Sequence, residues 1–183
     1  GATAFAAASH PDNDLFAIAL NEERWPALSA RAPFTSDLNV LRDGLMRVVK
    51  PRGRTALFDA IRAGLDYADR GRHPRKALVV LSDGGDNAST ATFEDVIQKT
   101  QSSNTVIYGV ALIDPVEQGA RPEILRRLAR SSGGEAISPK NIEEIQAALR
   151  RIAQDIRHSY MLGYMPAGTT PGARHSLRVA AAT

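Results

Sequence analysis

The chain has 183 residues, 43% of them hydrophobic and 23% charged, which suits one α/β domain with a sizeable core and a short addition. It contains no cysteine, which excludes a disulfide framework and a thiolate metal site. The net charge of +3 comes from scattered Lys and Arg residues, which argues against a nucleic-acid partner, and no apolar run is long enough for membrane insertion.

In chain order, the first part of the sequence predicts short strands and then two amphipathic helices. Alanine-rich residues 2–8 favour a helix, 14–21 a strand, and 24–30 a strand that Pro26 confines to a sheet edge. A helix-start signal at 35–37 precedes an apolar stripe formed by Leu38, Leu41, Leu45, Met46 and Val49. A second helix over 56–69 has Leu57, Ile61, Leu65 and Ala68 on one face.

The next stretch, 76–89 (KALVVLSDGGDNAS), organises the rest of the chain. Its unbroken apolar run at 77–81 predicts a fully buried strand of a parallel sheet, closed by Ser82, Asp83 and Gly84. Open α/β sheets bind ligands where such strands end, so we expect Asp83 at the mouth of the sheet. Turn formation alone also explains residues 84–87.

The remainder alternates helices with strands. We predict a helix from 93 after the caps at 89–92, strands at 105–113 and 135–138, and helices at 121–130 and 141–158. The inward face of the last helix is formed by Ile142, Ile145, Leu149, Ile152 and Ile156. This alternation predicts an α/β fold with a doubly wound, mostly parallel sheet and helices on both faces. We assign residues 1–158 to that domain and 159–183 to an accessory pair of strands, at 160–165 and 176–181.

Several motifs in this order resemble the von Willebrand factor A (VWA) domain, and most closely the VWA-related proteins of soil bacteria (acidobacterial type). They are 34–37 (FTSD), 53–61 (GRTALFDAI), 82–84 (SDG), 128–134 (LARSSGG) and 160–166 (YMLGYMP). The resemblance implies a non-catalytic protein-binding or adhesion module with a divalent-metal site at the carboxyl edge of the sheet. The metal ligands that match this sequence are Thr55 and Asp83. The ion would be Mg²⁺ or Mn²⁺, and a carboxylate of the protein partner would complete its shell.

The chain departs from that family in one respect, because it contains no Asp-x-Ser-x-Ser segment. In the family this segment follows the central strand, so we expect that strand to precede Gly1. Thr55 and Asp83 alone would bind metal weakly or not at all. The sheet should then have an opening beside the strand at 77–81, filled by a tail strand, another chain or residues outside this numbering.

Alternatives remain open for the function and for single residues. A Mg²⁺-dependent phosphoryl hydrolase of doubly wound fold and a metal-free structural scaffold are the competing functions, while a dinucleotide site is disfavoured because no G-x-G-x-x-G follows a strand. Thr55 could be only a helix N-cap, Asp59 a satisfied polar group, and Asp86 and Asn87 turn formers. Location in the cell envelope or outside the cell is implied by the resemblance only.

Overall fold

The computed structural model describes residues 12–20, 26–31, 33–48, 53–113 and 119–160. Within these ranges the chain forms five helices and three strands. They are α1 (Leu38–Val48), α2 (Leu57–Arg70), β1 (Lys76–Ser82), α3 (Phe93–Ser102), β2 (Thr105–Ala111), α4 (Pro122–Ser131), β3 (Ala136–Ile137) and α5 (Ile142–His158).

The three strands form a parallel sheet in the order β1-β2-β3. β1 pairs with β2 over seven residues, from Lys76↔Thr105 to Ser82↔Ala111, and β2 pairs with β3 at Gly109↔Ala136. One face of the sheet packs against α2, α3 and α4, and the other face packs against α5. The predicted α/β fold, with a parallel sheet and helices on both faces, is therefore confirmed.

The helix ends follow the signals in the sequence. Thr92 caps α3 in a capping box, in which its side chain accepts from Asp95 N and the Asp95 carboxylate accepts from Thr92 N. Asn141 caps α5 by accepting from Glu144 N at 2.8 Å. At the end of α4, Gly133 has φ +82, and Gly134 N donates to Ala129 O at 2.9 Å, as in a Schellman motif. Local capping chemistry therefore determines where these helices begin and end.

Two apolar residues assigned to buried helix faces are instead exposed. Met46 of α1 is 79% exposed, because it lies beside the stripe whose buried members are Leu41, Gly44 and Val48. Ile142 is 68% exposed, because it is the first residue of α5 and lies before the part of the helix that reaches the sheet. An apolar residue that matches the helical spacing is therefore not always buried, because it can lie beside the buried stripe or at the end of the helix.

The strand predictions near the amino terminus are wrong for the described residues. Residues 12–20 and 26–31 form no strand, and only two isolated antiparallel bridges occur, Leu15↔Thr35 and Ile18↔Pro26. Pro26 has no N–H to donate, which prevents the ladder from continuing regularly there. The predicted helix at 2–8 and the tail strand at 176–181 lie outside the described residues, as does the strand at 160–165 except for Tyr160, which is 92% exposed.

The outer edge of β1 pairs with no strand in the described part of the chain. Only two of the seven residues of β1 are buried, against six of seven in β2, so the prediction of a fully buried strand is wrong here. The burial differs because, among the described residues, β2 has a strand on both sides and β1 has a strand on one side.

A second segment lies along helix α2. Residues 14–20 are held at one end by Arg72 N, which donates to Asp14 Oδ2 at 3.4 Å, and at the other by Ala56 N, which donates to Leu20 O at 2.8 Å. These contacts lie at opposite ends of α2. The segment therefore runs antiparallel to that helix, in the same sense as β1. No described backbone group of the segment bonds to β1, and no strand of the described part of the chain lies between the two.

Candidate functional site

Thr55 and Asp83 lie at the same edge of the sheet. Asp83 follows the last residue of β1, and Thr55 lies two residues before α2, the helix that leads into β1. Backbone contacts join the two loops, because Thr55 N donates to Asn87 Oδ1 at 2.7 Å and the amides of Asn87 and Ala88 donate to Thr55 O at 3.0 and 3.1 Å. The carboxyl edge of β1 and the start of α2 therefore form one surface.

The side chains of Thr55 and Asp83 keep oxygen atoms that bond to no described residue. Asp83 Oδ1 accepts from Gly85 N at 2.9 Å and from Ser82 Oγ at 3.4 Å, whereas Asp83 Oδ2 has no hydrogen-bond donor among the described residues. Thr55 Oγ1 has none there either, and both residues are partly exposed. The alternative that Thr55 caps α2 is wrong, because the N-cap is Ala56, which makes no side-chain capping bond.

The start of α2 is instead capped by a distant loop. Asp86 Oδ2 accepts from Phe58 N at 3.0 Å, and Ser89 Oγ accepts from Asp59 N at 3.0 Å. Asp86 also accepts from the amide and hydroxyl of Ser89, at 3.2 and 2.5 Å. Asp86 is therefore more than the turn former that its sequence context indicates, since it satisfies helix amides that would otherwise lack partners.

Asp59 ties the same two loops together from the other side. Its side chain is buried, with only 7% of the residue exposed, and its carboxylate accepts from Thr90 N at 3.0 Å and Ala91 N at 2.9 Å. This confirms that Asp59 is a satisfied polar group. The contacts join residues about 30 positions apart, so no local pattern in the sequence could have revealed them.

Gly84 brings the start of α4 against the Asp83 loop. It has φ +86, and a Cβ at this position would collide with Arg121 O. Arg121 N donates to Asp83 O at 2.8 Å, so the loop is fixed by α4 as well as by α2. A residue with a side chain would have to break this contact, which explains a glycine directly after Asp83.

Thr55 and Asp83 supply ligands of the right kind for Mg²⁺ or Mn²⁺ but only part of the number. Such ions prefer hard oxygen ligands in octahedral geometry and keep several waters. Within the described ranges, no group of three His, Cys, Asp or Glu side chains could hold a metal ion. One hydroxyl and one carboxylate would thus need ligands from elsewhere to form a tight site.

His73 Nε2 lies 3.0 Å from Asp12 O and His158 Nδ1 lies 2.9 Å from Gln154 O, so both described histidines make surface contacts to backbone carbonyls. None of the helices in the described ranges combines the length and apolar character needed to cross a membrane.

Solved structures with a similar fold identify the architecture. A von Willebrand factor type A protein from Catenulispora acidiphila superimposes with a TM-score of 0.67 at 15% identity, over 85% of this chain and 36% of that one. The conserved hypothetical protein BatB from Bacteroides thetaiotaomicron has a TM-score of 0.60 at 14% identity, over 86% of this chain and 85% of that one. An aerotolerance-related membrane protein from Bacteroides fragilis has a TM-score of 0.59 at 14% identity, over 84% of each chain.

These similarities establish a VWA-like α/β fold. The chain spans about a third of the length of the C. acidiphila protein, the first of these structures. No protein-family model matches the chain, and no curated protein matches it. The narrower likeness to the soil-bacterial group stays a prediction.

Proposed function

We propose that this VWA-like chain is a non-catalytic protein-binding module. Its binding surface would be the carboxyl edge of the sheet, where Thr55 and Asp83 lie. The observation that supports this most is the pair of uncommitted oxygens there, Thr55 Oγ1 and Asp83 Oδ2, on loops that several hydrogen bonds hold in place. A rigid loop pair loses little conformational entropy when a partner binds, which favours recognition.

A divalent ion would serve as the bridge to the partner. Thr55 and Asp83 would hold Mg²⁺ or Mn²⁺ through one hydroxyl and one carboxylate oxygen, with further ligands from water, from an added Asp-x-Ser-x-Ser segment and from a carboxylate of the partner. With so few protein charges around it, the ion would still attract an anionic side chain. We therefore expect this chain alone to bind the metal weakly.

Paramagnetic broadening of amide NMR signals by Mn²⁺ tests this proposal at low affinity. We expect added Mn²⁺ to broaden first the signals of Thr55, Gly84 and Gly85, and excess Mg²⁺ to reverse the effect. Asp83→Ala should abolish the broadening, and Asp43→Ala, which removes an exposed carboxylate of α1, should leave it unchanged. Broadening that survives Asp83→Ala would contradict the metal site.

A lengthened protein separates the competing functions. An apolar strand ending in Asp-x-Ser-x-Ser, fused ahead of Gly1, should tighten Mg²⁺ binding measured by calorimetry by at least about tenfold, because it adds hard oxygen ligands. No binding to either protein would favour the metal-free scaffold. Turnover of a phosphoester that requires Asp83 would favour the hydrolase.

The place of the protein in the cell follows only by analogy. The B. fragilis protein is described as an aerotolerance-related membrane protein. By likeness to it and to the VWA family, we propose that this chain acts at the cell envelope or outside the cell.

A further inference from the structure

A cavity of about 410 Å³ lies at the opposite end of the sheet from Asp83. It is formed by Tyr108 of β2, by Gly133, Gly134 and Glu135 in front of β3, and by Asp155, His158 and Ser159 at the end of α5. It is wide open to solvent, because Glu135, Asp155 and His158 are exposed, and Tyr108 forms its buried wall. None of its residues takes part in the contacts around Thr55 and Asp83.

Tyr108 places a polar group in this cavity that has no partner among the described residues. The residue is only 9% exposed, and its hydroxyl forms no hydrogen bond to any of them. Burial raises the pKa of the Tyr108 phenol, and the charges of Asp155 and Glu135 raise it further. The phenol is therefore protonated at neutral pH, and it lines the same cavity as both carboxylates.

The two carboxylates differ in how far they are neutralised. Glu135 Oε2 accepts from Arg151 Nη2 at 2.7 Å, an ion pair in which both side chains are about half exposed. Asp155 makes no ion pair within the described ranges. Its charge adds to the negative end of the α5 dipole, because it lies in the last turn of that helix.

The end of α5 already attracts one cation. Arg75 Nη1, from the loop before β1, donates to Ser159 O at 2.8 Å, at the rim of the cavity. One carbonyl at the end of α5, Ser159 O, therefore already binds a guanidinium beside the cavity, and the cavity contains a carboxylate and a phenol that no described residue engages. A ligand with a positive charge and several N–H donors matches the carboxylate and the phenol.

We propose that this cavity binds the ammonium or guanidinium group of a small organic cation or of a lysine or arginine side chain. Asp155 would form a charge-assisted hydrogen bond with the ligand, and the Tyr108 hydroxyl would accept a second N–H. Neither role depends on the function proposed for Thr55 and Asp83.

The full chain, titrated with methylguanidinium and followed by amide NMR, tests this proposal. We expect saturable shifts centred on Tyr108, Gly133, Gly134 and Asp155, and none with methylurea, a neutral molecule of the same shape. Peptides with one arginine, or with glutamine in its place, form the second arm. Tighter binding of the arginine peptide than of methylguanidinium would identify a protein side chain as the ligand, and the reverse would identify a free cation.

Two variants and a control make the result decisive. Asp155→Asn should weaken methylguanidinium binding about tenfold, and Tyr108→Phe about threefold, because they remove a charged and a neutral hydrogen-bond partner. Asp69→Asn removes another exposed carboxylate, which pairs with Lys76, and should have no effect. Equal binding of methylurea, no saturable shift with either cation, or unchanged affinity in Asp155→Asn would overturn the proposal. The Mn²⁺ effect at Thr55 should be the same in Asp155→Asn as in the unaltered chain.

Discussion

At the residue scale, the edge of the sheet depends on a few polar contacts between segments far apart in the chain. The Thr55 loop and the Asp83 loop are held together by Asp59, Asp86 and Ser89, whose contacts are mostly with backbone amides. Bonds of this kind leave unpaired donors when the acceptor is removed. The position of Thr55 relative to Asp83 therefore depends on these three residues, together with the bonds between Thr55 and Asn87.

Asp86→Ala tests this dependence. It leaves Phe58 N at the start of α2 and Ser89 N in the loop before α3 without an acceptor, so we expect a loss of about 1–3 kcal/mol in the free energy of unfolding. Urea unfolding measures the loss. The matched control is Asp43→Ala, whose side chain is exposed and should cost less than about 0.5 kcal/mol. Equal losses in the two variants would show that Asp86 does not cap α2.

Asp95 provides a pH-dependent test of a helix cap. The backbone and side-chain hydrogen bonds from Thr92 lower the pKa of the Asp95 carboxyl from its ordinary value of 3.8. A carboxyl with a lowered pKa in the folded protein stabilises the fold above the unfolded pKa, and that stabilisation is lost as the pH falls through the folded pKa.

We therefore expect unaltered protein to be more stable than Asp95→Asn at about pH 6, and the difference to shrink as the pH falls below about 3.8. Urea midpoints of the two proteins across this range measure it, and the carboxyl carbon NMR signal of Asp95 reports its titration directly. A constant difference at all pH values would contradict a role for the ionised carboxylate.

The sequence is informative about single residues where their chemistry is local. The helix caps Thr92 and Asn141 can be recognised because they act within three residues of themselves. The edge positions of Thr55 and Asp83 can be predicted because strand and helix order determines them. The capping of α2 by Asp86 cannot, because its partner Phe58 is 28 residues away.

At the element scale, two glycines with nearly the same φ angle differ in what surrounds them. Gly84 has φ +86 and its added Cβ would collide with Arg121 O, while Gly133 has φ +82 and nothing within 4 Å. Replacing either by alanine strains the backbone by roughly 1–2 kcal/mol. Only at Gly84 does the side chain also collide with a neighbouring backbone.

Gly84→Ala should therefore lower the free energy of unfolding by more than Gly133→Ala, by an additional amount of about 1–3 kcal/mol. Gly133→Ala acts as the control for the cost of positive φ alone. Urea unfolding of both variants measures the difference. Equal costs would show that the Asp83 loop and the start of α4 separate easily.

At this scale, the sequence predicts helices more accurately than strands. The sequence predicts helix α2 at 56–69 and the structure has it at Leu57–Arg70, because its apolar stripe and length are properties of the segment itself. Residues 14–20 have an equally apolar pattern and form only isolated bridges. A strand needs a partner strand, and a segment alone does not reveal whether its partner is present.

At the scale of the whole molecule, the two ends of the sheet differ in chemistry. The carboxyl end has the uncommitted oxygens of Thr55 and Asp83, and the amino end has the acidic cavity beside Tyr108. Between them, the sheet is open along β1 in the described part of the chain. A strand added at this edge, parallel to β1, would end beside Asp83. The same strand would therefore fill the opening and bring further metal ligands to Thr55 and Asp83.

Hydrogen exchange measured by NMR tests the opening directly. In a parallel pair, alternate residues of β1 direct their N–H groups to β2, and the others direct theirs to the outer edge. We expect alternate amides of Lys76–Ser82 to exchange on the order of a hundredfold faster than their neighbours, because no described residue accepts from them. The amides of Gly109 and Val110, which lie between two strands, should both exchange slowly.

The fused strand with Asp-x-Ser-x-Ser should slow the fast amides of β1 without changing those of β2. Uniformly slow exchange along β1 before any strand is added would mean that this edge is already paired.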